Sequence, residues 1–127
     1  MNILHVDTNH PLLVEQLDAL GHYNDIDVLS SKSEIIDKIP HYDGLVIRSR
    51  FFIDKAFLEQ AINLKFIARV GAGLENIDLA YARQKGIHLI TAPEGNRNAV
   101  GEHALALILA LFNKLKQANQ DLSLIHI

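Results

Sequence analysis

Short apolar runs alternate with longer mixed segments over residues 1–91 of the chain. The runs are rich in Val, Ile and Leu and are bounded by Gly, Asp, Asn or Ser. This pattern is typical of strands buried on both faces of a parallel sheet. The predicted strands are Ile3–Val6, Ile26–Leu29, Gly44–Ile47, Phe66–Val70 and His88–Ile90.

Each segment between these runs carries the start and stop signals of a helix. The expected N-caps are Asn9 or His10, Ser31 or Ser33, Asp54 and Asp78, and the expected stops are Gly21, Pro40 and Gly86. Strands that alternate with helices predict an α/β fold, with a parallel five-stranded sheet and helices on both faces. Because crossovers are right-handed, we expect a flavodoxin-like or Rossmann-like strand order.

A parallel sheet brings the loops that follow its strands to a single edge, where ligands bind in such folds. The loops concerned are Asp7–Pro11, Arg48–Phe52, Val70–Asn76 and Thr91–Asn98. Candidate functional residues should therefore be sought in these four loops.

Residues 98–118 read as one long helix, capped by Asn98. Its middle, ALALILALF, is apolar nearly all round, so the helix should be buried on more than one side. We expect it to meet a second domain, a second subunit, or both.

The last six residues, LSLIHI, neither continue this helix nor begin a convincing strand. They match the translation of a common sequencing-library adaptor. We interpret residues 122–127 as a non-native tail; an ordinary C-terminal tail is the alternative.

Composition narrows the classes of function. The chain is 49% hydrophobic and 21% charged, with a net charge of −3, which gives no reason to expect nucleic acid or a membrane as partner. It has no cysteine, which excludes disulfides, thiolate nucleophiles and Cys-ligated metals. The N-terminus lacks the features of a signal peptide, and no apolar stretch reaches about 18 residues. We expect a cytoplasmic protein.

Gly71-Ala72-Gly73 ends the fourth predicted strand. A dinucleotide fingerprint needs G-x-G-x-x-G, but Asn76 occupies the sixth position, so cofactor phosphate binding at this loop is rejected. Two interpretations remain open. The glycines permit a turn with positive φ, or the loop is a nest of backbone N–H groups that holds a carboxylate.

Arg48 and Arg50 follow the third predicted strand, with Ser49 between them. In an extended segment residues two apart point the same way, and arginine binds carboxylate and phosphate with a forked geometry. The alternative is a pair of surface arginines. The functional interpretation gains weight because this loop and the glycine loop should share one sheet edge.

Other chemistries find no support in the residues. Glu102 and His103 are adjacent on a helix and diverge by about 100°, so they cannot easily serve one atom. The histidine spacing fits no metal site, and G-x-S-x-G is absent. A phosphoacceptor receiver domain needs an aspartate after strand three, where Arg48 stands instead.

Four motifs in order resemble the N-terminal part of the D-isomer-specific 2-hydroxyacid dehydrogenases. They are R-S-R, L-K-x-I-A-R-x-G-x-G-x-x-N-I-D, A-P-x-x-N and V-x-E-H at the start of an apolar helix. The phosphoglycerate dehydrogenase branch is the nearest match, and the resemblance covers residues 1–120. It implies a two-domain, NAD-dependent oxidoreductase acting on a small 2-hydroxy or 2-oxo acid.

The resemblance also implies a domain plan. Residues 1–97 would be the substrate-binding domain, and residues 98–121 would lead into an NAD-binding domain beyond this sequence. The 98–118 helix would pack in a homodimer. The cofactor would be bound mainly by the missing domain.

Residue roles follow from the resemblance, position by position. The backbone of Ala72, Gly73 and Leu74 would bind the substrate carboxylate, and Arg48 and Ser49 would belong to the loop that closes on the substrate. Asn96 would match an asparagine at the family's active site. Val100 would match an apolar contact near the nicotinamide.

The family's catalytic arginine, glutamate and histidine fall beyond residue 127, so none is assigned to this chain. We therefore interpret the chain as a truncated enzyme and expect no dehydrogenase activity from it alone. A non-enzymatic α/β module that binds a small acid or dimerises is the alternative. The substrate stays open between 3-phosphoglycerate and acids such as hydroxypyruvate or glyoxylate, as does the choice between NAD and NADP.

Overall fold

Five short strands form a parallel sheet in a computed structural model, which describes residues 1–125. The strands are β1 (Asn2–His5), β2 (Tyr23–Ile26), β3 (Gly44–Ile47), β4 (Phe66–Arg69) and β5 (His88–Ile90). They pair in the order β2-β1-β3-β4-β5. This flavodoxin-like order was expected from the alternation of strands and helices, and the α/β fold class is confirmed.

Helices follow each strand along the chain. They are α1 (Pro11–Ala19), α2 (Lys32–Lys38), α3 (Lys55–Gln60), α4 (Leu79–Gln84), α5 (Arg97–Phe112) and α6 (Leu115–Ile125). The chain divides into two compact units, Met1–Pro93 and Glu94–Ile127. Within the described part of the chain, none of the helices is long and apolar enough to cross a membrane.

Side chains at the helix starts accept hydrogen bonds from amides of the first turn. These caps are His10, Ser31, Asp54 and Asp78. Ser31 forms a full capping box with Glu34, which satisfies two amides reciprocally. Gly21 (φ +79°) and Gly86 (φ +72°) take left-handed conformations just after α1 and α4. Glycine adopts positive φ without a steric penalty and therefore ends helices well. The predicted starts and stops of these helices are confirmed.

The hydrophobic core lies between one face of the sheet and helices α2, α3 and α4. Alternate strand residues such as Leu4, Leu45 and Ile67 point into it and are fully buried. Phe57 and Leu58 enter from α3 and are also fully buried. Burying each such side chain contributes roughly 1.5–3 kcal/mol, so this face supplies most of the stability of the first unit.

The other face of the sheet is covered by α1, because the chain moves outward from β1 to β2 and then crosses back to β3. No residue of Pro11–Ala19 is buried. Beside α1, an apolar surface over β3, β4 and β5 is lined by Leu13, Leu17, Phe66, Ala68 and Ile90. One face of the sheet is thus fully packed and the other only partly.

Strand β2 lies three residues earlier than predicted, and the assignment of Ile26–Leu29 is wrong. The chain leaves the sheet at Asp27, whose Oδ1 accepts from the amide of Ser30 at 3.0 Å. Leu29 is 92% exposed. An edge strand with one neighbour needs no continuous apolar run, so the polar sequence YNDI forms the strand instead.

Asp27 is held by a cation and a turn, which makes the first unit sensitive to acid. Lys38 donates to Oδ2, as does the hydroxyl of Ser30. The Lys38 hydrogen bond, followed by the bonds from Ser30, lowers the pKa of Asp27 well below its usual value of about 3.9. We expect Asp27→Asn to lower the free energy of unfolding by about 1–2 kcal/mol at neutral pH.

The sign of the pH dependence follows from that lowered pKa. The stability from Asp27 is complete above the unfolded-state pKa and is lost as the pH falls from about 4 towards the folded-state pKa. Urea unfolding at about pH 7 and about pH 3 measures it, with the exposed Asp37→Asn as control. An equal loss at both pH values would contradict this account of Asp27.

Over its described residues, 94–125, the second unit contains two α-helices, so the prediction of one long helix over 98–118 is wrong. Helix α5 ends at Phe112, and Lys114 has a left-handed φ of 47°. The side chain of Asn113 donates to the carbonyl of Leu109 at 3.0 Å, which competes with continuation of the helix. The predicted cap at Asn98 is also wrong: Asn96 precedes α5 and makes no side-chain cap.

The expected burial of this helix on more than one side is not seen in the chain, where no residue of α5 is buried. Seven of its large apolar side chains are at least half exposed, namely Val100, Leu105, Leu107, Ile108, Leu109, Leu111 and Phe112. The expectation that residues 122–127 cannot continue a helix is wrong for 122–125, which belong to α6. Residues 126 and 127 lie outside the described residues.

Candidate functional site

The loops after β3, β4 and β5 lie side by side at the carboxyl edge of the sheet. The amide of Val70 donates to the carbonyl of Ile47 at 2.8 Å, and the amide of Ala92 donates to that of Gly71 at 3.0 Å. Arg69 Nε donates to the carbonyl of Arg48 at 3.0 Å. The expected convergence of the 48–52 and 70–76 loops is confirmed.

Asn76 ties the same two loops together a few residues further on. Its carbonyl accepts from the amide of Ile53 at 2.8 Å, and its Nδ2 lies 3.4 Å from the carbonyls of Arg48 and Phe51. Ile53 and Ile77 form a parallel bridge and are both buried. The base of the site is therefore rigid, which restricts how far the loops can move apart.

Three consecutive amides in the glycine loop are unused. Gly71 N–H donates to the carbonyl of Arg69 at 2.9 Å. Within residues 1–125, no main-chain or side-chain acceptor takes up the N–H groups of Ala72, Gly73 and Leu74. Successive unpaired amides form a concave donor surface that suits an anionic oxygen.

The two glycines leave the loop backbone uncovered and are not needed for a positive-φ conformation. Gly71 and Gly73 do not have positive φ, so the interpretation as a positive-φ turn is wrong. A Cβ at Gly71 would lie 2.5 Å from Arg69 Nη1, and one at Gly73 would lie 2.1 Å from Glu75 Oε1. The charged ends of Arg69 and Glu75 thus lie close to the backbone of the two glycines. A larger residue at either glycine would displace them.

Arg48 and Ser49 are exposed at the rim beside the glycine loop. The backbone of Arg48 is anchored on both sides: its N–H donates to Asp7 Oδ2 at 2.6 Å, and its carbonyl accepts from Arg69. Within residues 1–125 its guanidinium has no hydrogen-bond or ion-pair partner. A fixed backbone with an uncommitted cation suits recognition of an anion that arrives from solution.

Arg50 does not act alongside Arg48, so the expectation that both point the same way is wrong. Strand β3 ends at Ile47 and the chain bends, which breaks the two-residue alternation. Arg50 Nη1 donates to the carbonyls of Val6 at 2.7 Å and Asp27 at 2.8 Å, and Nη2 donates to that of Ser30. Arg50 therefore holds the ends of β1 and β2 together.

Arg69 is a site residue that the sequence analysis missed. It is the last residue of β4, its side chain is only 20% exposed, and it forms an ion pair with Glu75 at 3.8 Å. An arginine two residues before Gly-Ala-Gly, at the end of an apolar strand, was the available signal, because buried arginines are rare without a partner. Arg69 and Glu75 form a charged border around the glycine loop.

Asn96 and Val100 belong to the second unit. Asn96 precedes α5, and Val100 lies in the first turn of α5 with 59% of its surface exposed. Their assignment to the substrate and to the nicotinamide stays a prediction.

The position of these loops agrees with the motif resemblance. A match to a family model establishes the family to which the chain belongs. The model for the catalytic domain of the D-isomer specific 2-hydroxyacid dehydrogenases matches residues 3–122. The chain belongs to this family. As a 2-hydroxyacid dehydrogenase relative, it carries the family's sheet and the loops at its carboxyl edge.

Curated relatives agree with this membership. D-3-phosphoglycerate dehydrogenase of Archaeoglobus fulgidus is 42% identical over 91 residues, which cover 72% of this chain and 17% of the relative. Hydroxypyruvate reductase of Thermotoga maritima is 36% identical over 120 residues, covering 92% of this chain and 39% of the relative. The chain therefore spans less than half the length of these relatives.

Solved structures agree in fold. A protein from Pyrococcus horikoshii OT3 superposes with a TM-score of 0.87 at 27% identity, covering 94% of this chain and 35% of that one. NAD⁺-bound 3-phosphoglycerate dehydrogenase of Entamoeba histolytica gives a TM-score of 0.69 at 27% identity, covering 87% and 38%. The Rossmann-like architecture of the chain is thus that of 2-hydroxyacid dehydrogenases.

Proposed function

We propose that residues 1–97 bind the acid substrate of an NAD-dependent D-2-hydroxyacid dehydrogenase. The observation that carries this is the set of three unpaired amides at Ala72, Gly73 and Leu74, fixed at the sheet edge. A substrate carboxylate bound there would receive charged hydrogen bonds, each worth roughly 1.5–3 kcal/mol. Such a grip orients the neighbouring C2 carbon for exchange of hydride with the cofactor.

The cations of the rim set the preferred charge of the substrate. The guanidinium of Arg48 has no partner within residues 1–125, and Arg69 is shared with Glu75 across 3.8 Å. The rim can therefore serve a second anionic group, and we propose a phosphorylated acid such as 3-phosphoglycerate ahead of hydroxypyruvate or glyoxylate. Ser49 lies beside Arg48 and would donate its hydroxyl to the same group.

The residues of this chain do not fit the pyrophosphate of NAD. The glycine loop lacks the third glycine of the fingerprint, and α4 does not begin until Leu79. Its N-cap, Asp78, accepts from the amide of Tyr81 at 3.0 Å, so a carboxylate already occupies the helix start. We propose that NAD is bound mainly by a further domain of the whole protein.

The second unit would connect the two domains. We propose that residues 98–121 lead into the NAD-binding domain, that Asn96 reaches the active site, and that Val100 contacts the nicotinamide. The exposed leucines of α5 suit a homodimer contact over residues 98–118, since exposed apolar patches mark association surfaces. Because catalytic groups are assigned to the further domain, this chain alone should bind substrate without oxidising it.

Titration of the ¹⁵N-labelled chain tests the substrate site. D-3-phosphoglycerate should shift the amides of Ala72, Gly73 and Leu74, and D-glycerate should shift the same amides with lower affinity. Glycerol 3-phosphate lacks the carboxylate and should bind more weakly still. Arg48→Gln should weaken binding of 3-phosphoglycerate by about 10-fold, the value of one charged hydrogen bond.

Arg83→Gln is the matched control, since it removes an exposed arginine at the end of α4. It should leave the affinity unchanged. If both variants weaken binding equally, the effect is one of net charge and Arg48 is not part of the site. If the loop amides shift with neither D-3-phosphoglycerate nor D-glycerate, the proposed function fails.

Glu75 should oppose substrate binding. Its carboxylate lies against Gly73, next to the amides proposed to hold the substrate carboxylate. Two like charges in one place repel each other, so Glu75→Gln should tighten D-glycerate binding by about 3–10-fold at low salt. Isothermal titration at two salt concentrations measures this, with the exposed Glu59→Gln as control. Weaker binding of the Glu75 variant would contradict this placement of the anion.

A further inference from the structure

Arg69 has a guanidinium that is fixed at one end and free at the other. Its Nε donates to the carbonyl of Arg48 at 3.0 Å, and its side chain is only 20% exposed. Among the described residues, no acceptor lies within hydrogen-bond distance of the donors on Nη1 and Nη2. A cation that is held in one orientation with its outer donors free suits a forked bond to a carboxylate or phosphate.

These free donors lie at the glycine loop and are open to solvent. A Cβ built on Gly71 would lie 2.5 Å from Arg69 Nη1 and 2.8 Å from Cζ, so the guanidinium lies against the backbone of Gly71. The unpaired amides of residues 72–74 follow directly along the chain. In the part that the structure describes, the buried side-chain atoms without a partner are Asn9 Oδ1 and Asn76 Oδ1, so a ligand can reach the Arg69 donors.

The side chain of Glu75 shows that a single carboxylate can lie close to both groups. Its Oε2 is 3.8 Å from Arg69 Nη1, and its Oε1 is 2.1 Å from the place of a Cβ on Gly73. Glu75 nevertheless accepts no hydrogen bond among the described residues, and its side chain is 76% exposed. Exposed ion pairs of this kind contribute little to stability, so another carboxylate can displace Glu75 at small cost.

We propose that Arg69 is a specificity-determining residue, which binds the substrate carboxylate through Nη1 and Nη2 beside the amides of residues 72–74. The substrate carboxylate would take the place of the Glu75 carboxylate, which would turn into solvent. This inference rests on the proposed function and deepens it. Arg69 would select a charged carboxylate over a neutral group, and Arg48 would serve the second anionic group.

Sodium D-glycerate is the probe, because it carries the carboxylate without a phosphate. It is titrated into the 127-residue chain labelled with ¹⁵N and ¹³C in its arginines and backbone. The Nε and Nη resonances of Arg69 should shift with the same saturation curve as the amides of residues 72–74, and rotation of the guanidinium should slow. Arg50, whose guanidinium donates to three carbonyls, is the internal control and should not respond.

Arg69→Gln should weaken D-glycerate binding by about 10-fold, the value of one charged hydrogen bond. D-glyceramide, the neutral amide of the same acid, should lose less than about 2-fold, because it gains little from a cation. If Arg69 only held the carbonyl of Arg48, both ligands would weaken equally. Arg83→Gln, which removes an exposed arginine from α4, is the matched control and should leave both affinities unchanged.

The outcomes separate this proposal from the proposed function. If D-glycerate shifts the loop amides but not the Arg69 guanidinium, the amides hold the carboxylate alone; the proposal fails and the proposed function stands. Equal weakening of the two ligands by Arg69→Gln would also overturn it. If the loop amides do not respond either, both proposals fail. The wild-type resonances of Arg69 decide the matter even when Arg69→Gln does not fold, and urea unfolding shows whether it does.

Discussion

Gly73→Val is expected to weaken binding of D-3-phosphoglycerate to the chain by at least about 10-fold while leaving the fold intact. One charged hydrogen bond is worth roughly 1.5–3 kcal/mol, and the valine side chain would block access to several amides at once. Gly73 does not have positive φ, so the substitution introduces no backbone strain there. The Cβ would meet only the flexible end of Glu75, at 2.1 Å.

Titration followed by ¹⁵N chemical shifts measures the affinity, and urea unfolding checks the stability. Gly101→Val serves as the control, because a Cβ at Gly101 meets nothing within 4 Å and the residue lies in the second unit. Gly73→Ala should give an intermediate loss, because a methyl group covers less of the loop amides than the valine side chain does. Wild-type affinity in a folded Gly73→Val variant would show that the anion binds elsewhere.

Arg50→Gln is expected to lower the free energy of unfolding by about 3 kcal/mol, one of the largest effects of a single substitution here. The guanidinium donates to the carbonyl of Val6, directly after β1, and to those of Asp27 and Ser30 in the turn after β2. Glutamine can replace at most part of this set. Urea denaturation at neutral pH, followed by circular dichroism, measures the change.

Arg48→Gln provides the comparison within the same loop. Its guanidinium has no partner among the described residues, so stability should change by less than about 0.5 kcal/mol. The two variants should therefore separate cleanly, with Arg48 affecting binding and Arg50 affecting stability. A stability loss of similar size in both would mean that the loop as a whole, and not the Arg50 bonds, supports β1 and β2.

Most of the first unit could be predicted because its strands obey a simple rule. β3 and β5 begin and end at the predicted residues, and β1 and β4 differ by one residue or less at each end. Those strands are apolar runs set off by turn residues. β2 could not be placed in this way, since YNDI at the sheet edge has little apolar character and Asp27 ends the strand early.

The pattern of apolar and polar residues could not predict the break between α5 and α6, nor part of the site. Leu109 and Asn113 are compatible with one continuous helix until the side-chain bond between them is seen. The meeting of Arg48 with the glycine loop followed from parallel topology alone. The direction of the Arg50 side chain could not be predicted, because it depends on where β3 ends and on which carbonyls lie within its reach.

The bond from the amide of Arg48 to Asp7 joins positions 41 residues apart. β1 is paired with β2 on one side and with β3 on the other, and β3 comes much later in the chain. During synthesis on the ribosome, β1 must therefore wait with one side open until Ile47 has emerged. For that period the nascent chain presents an unpaired, apolar strand edge, the form in which chaperones would meet it.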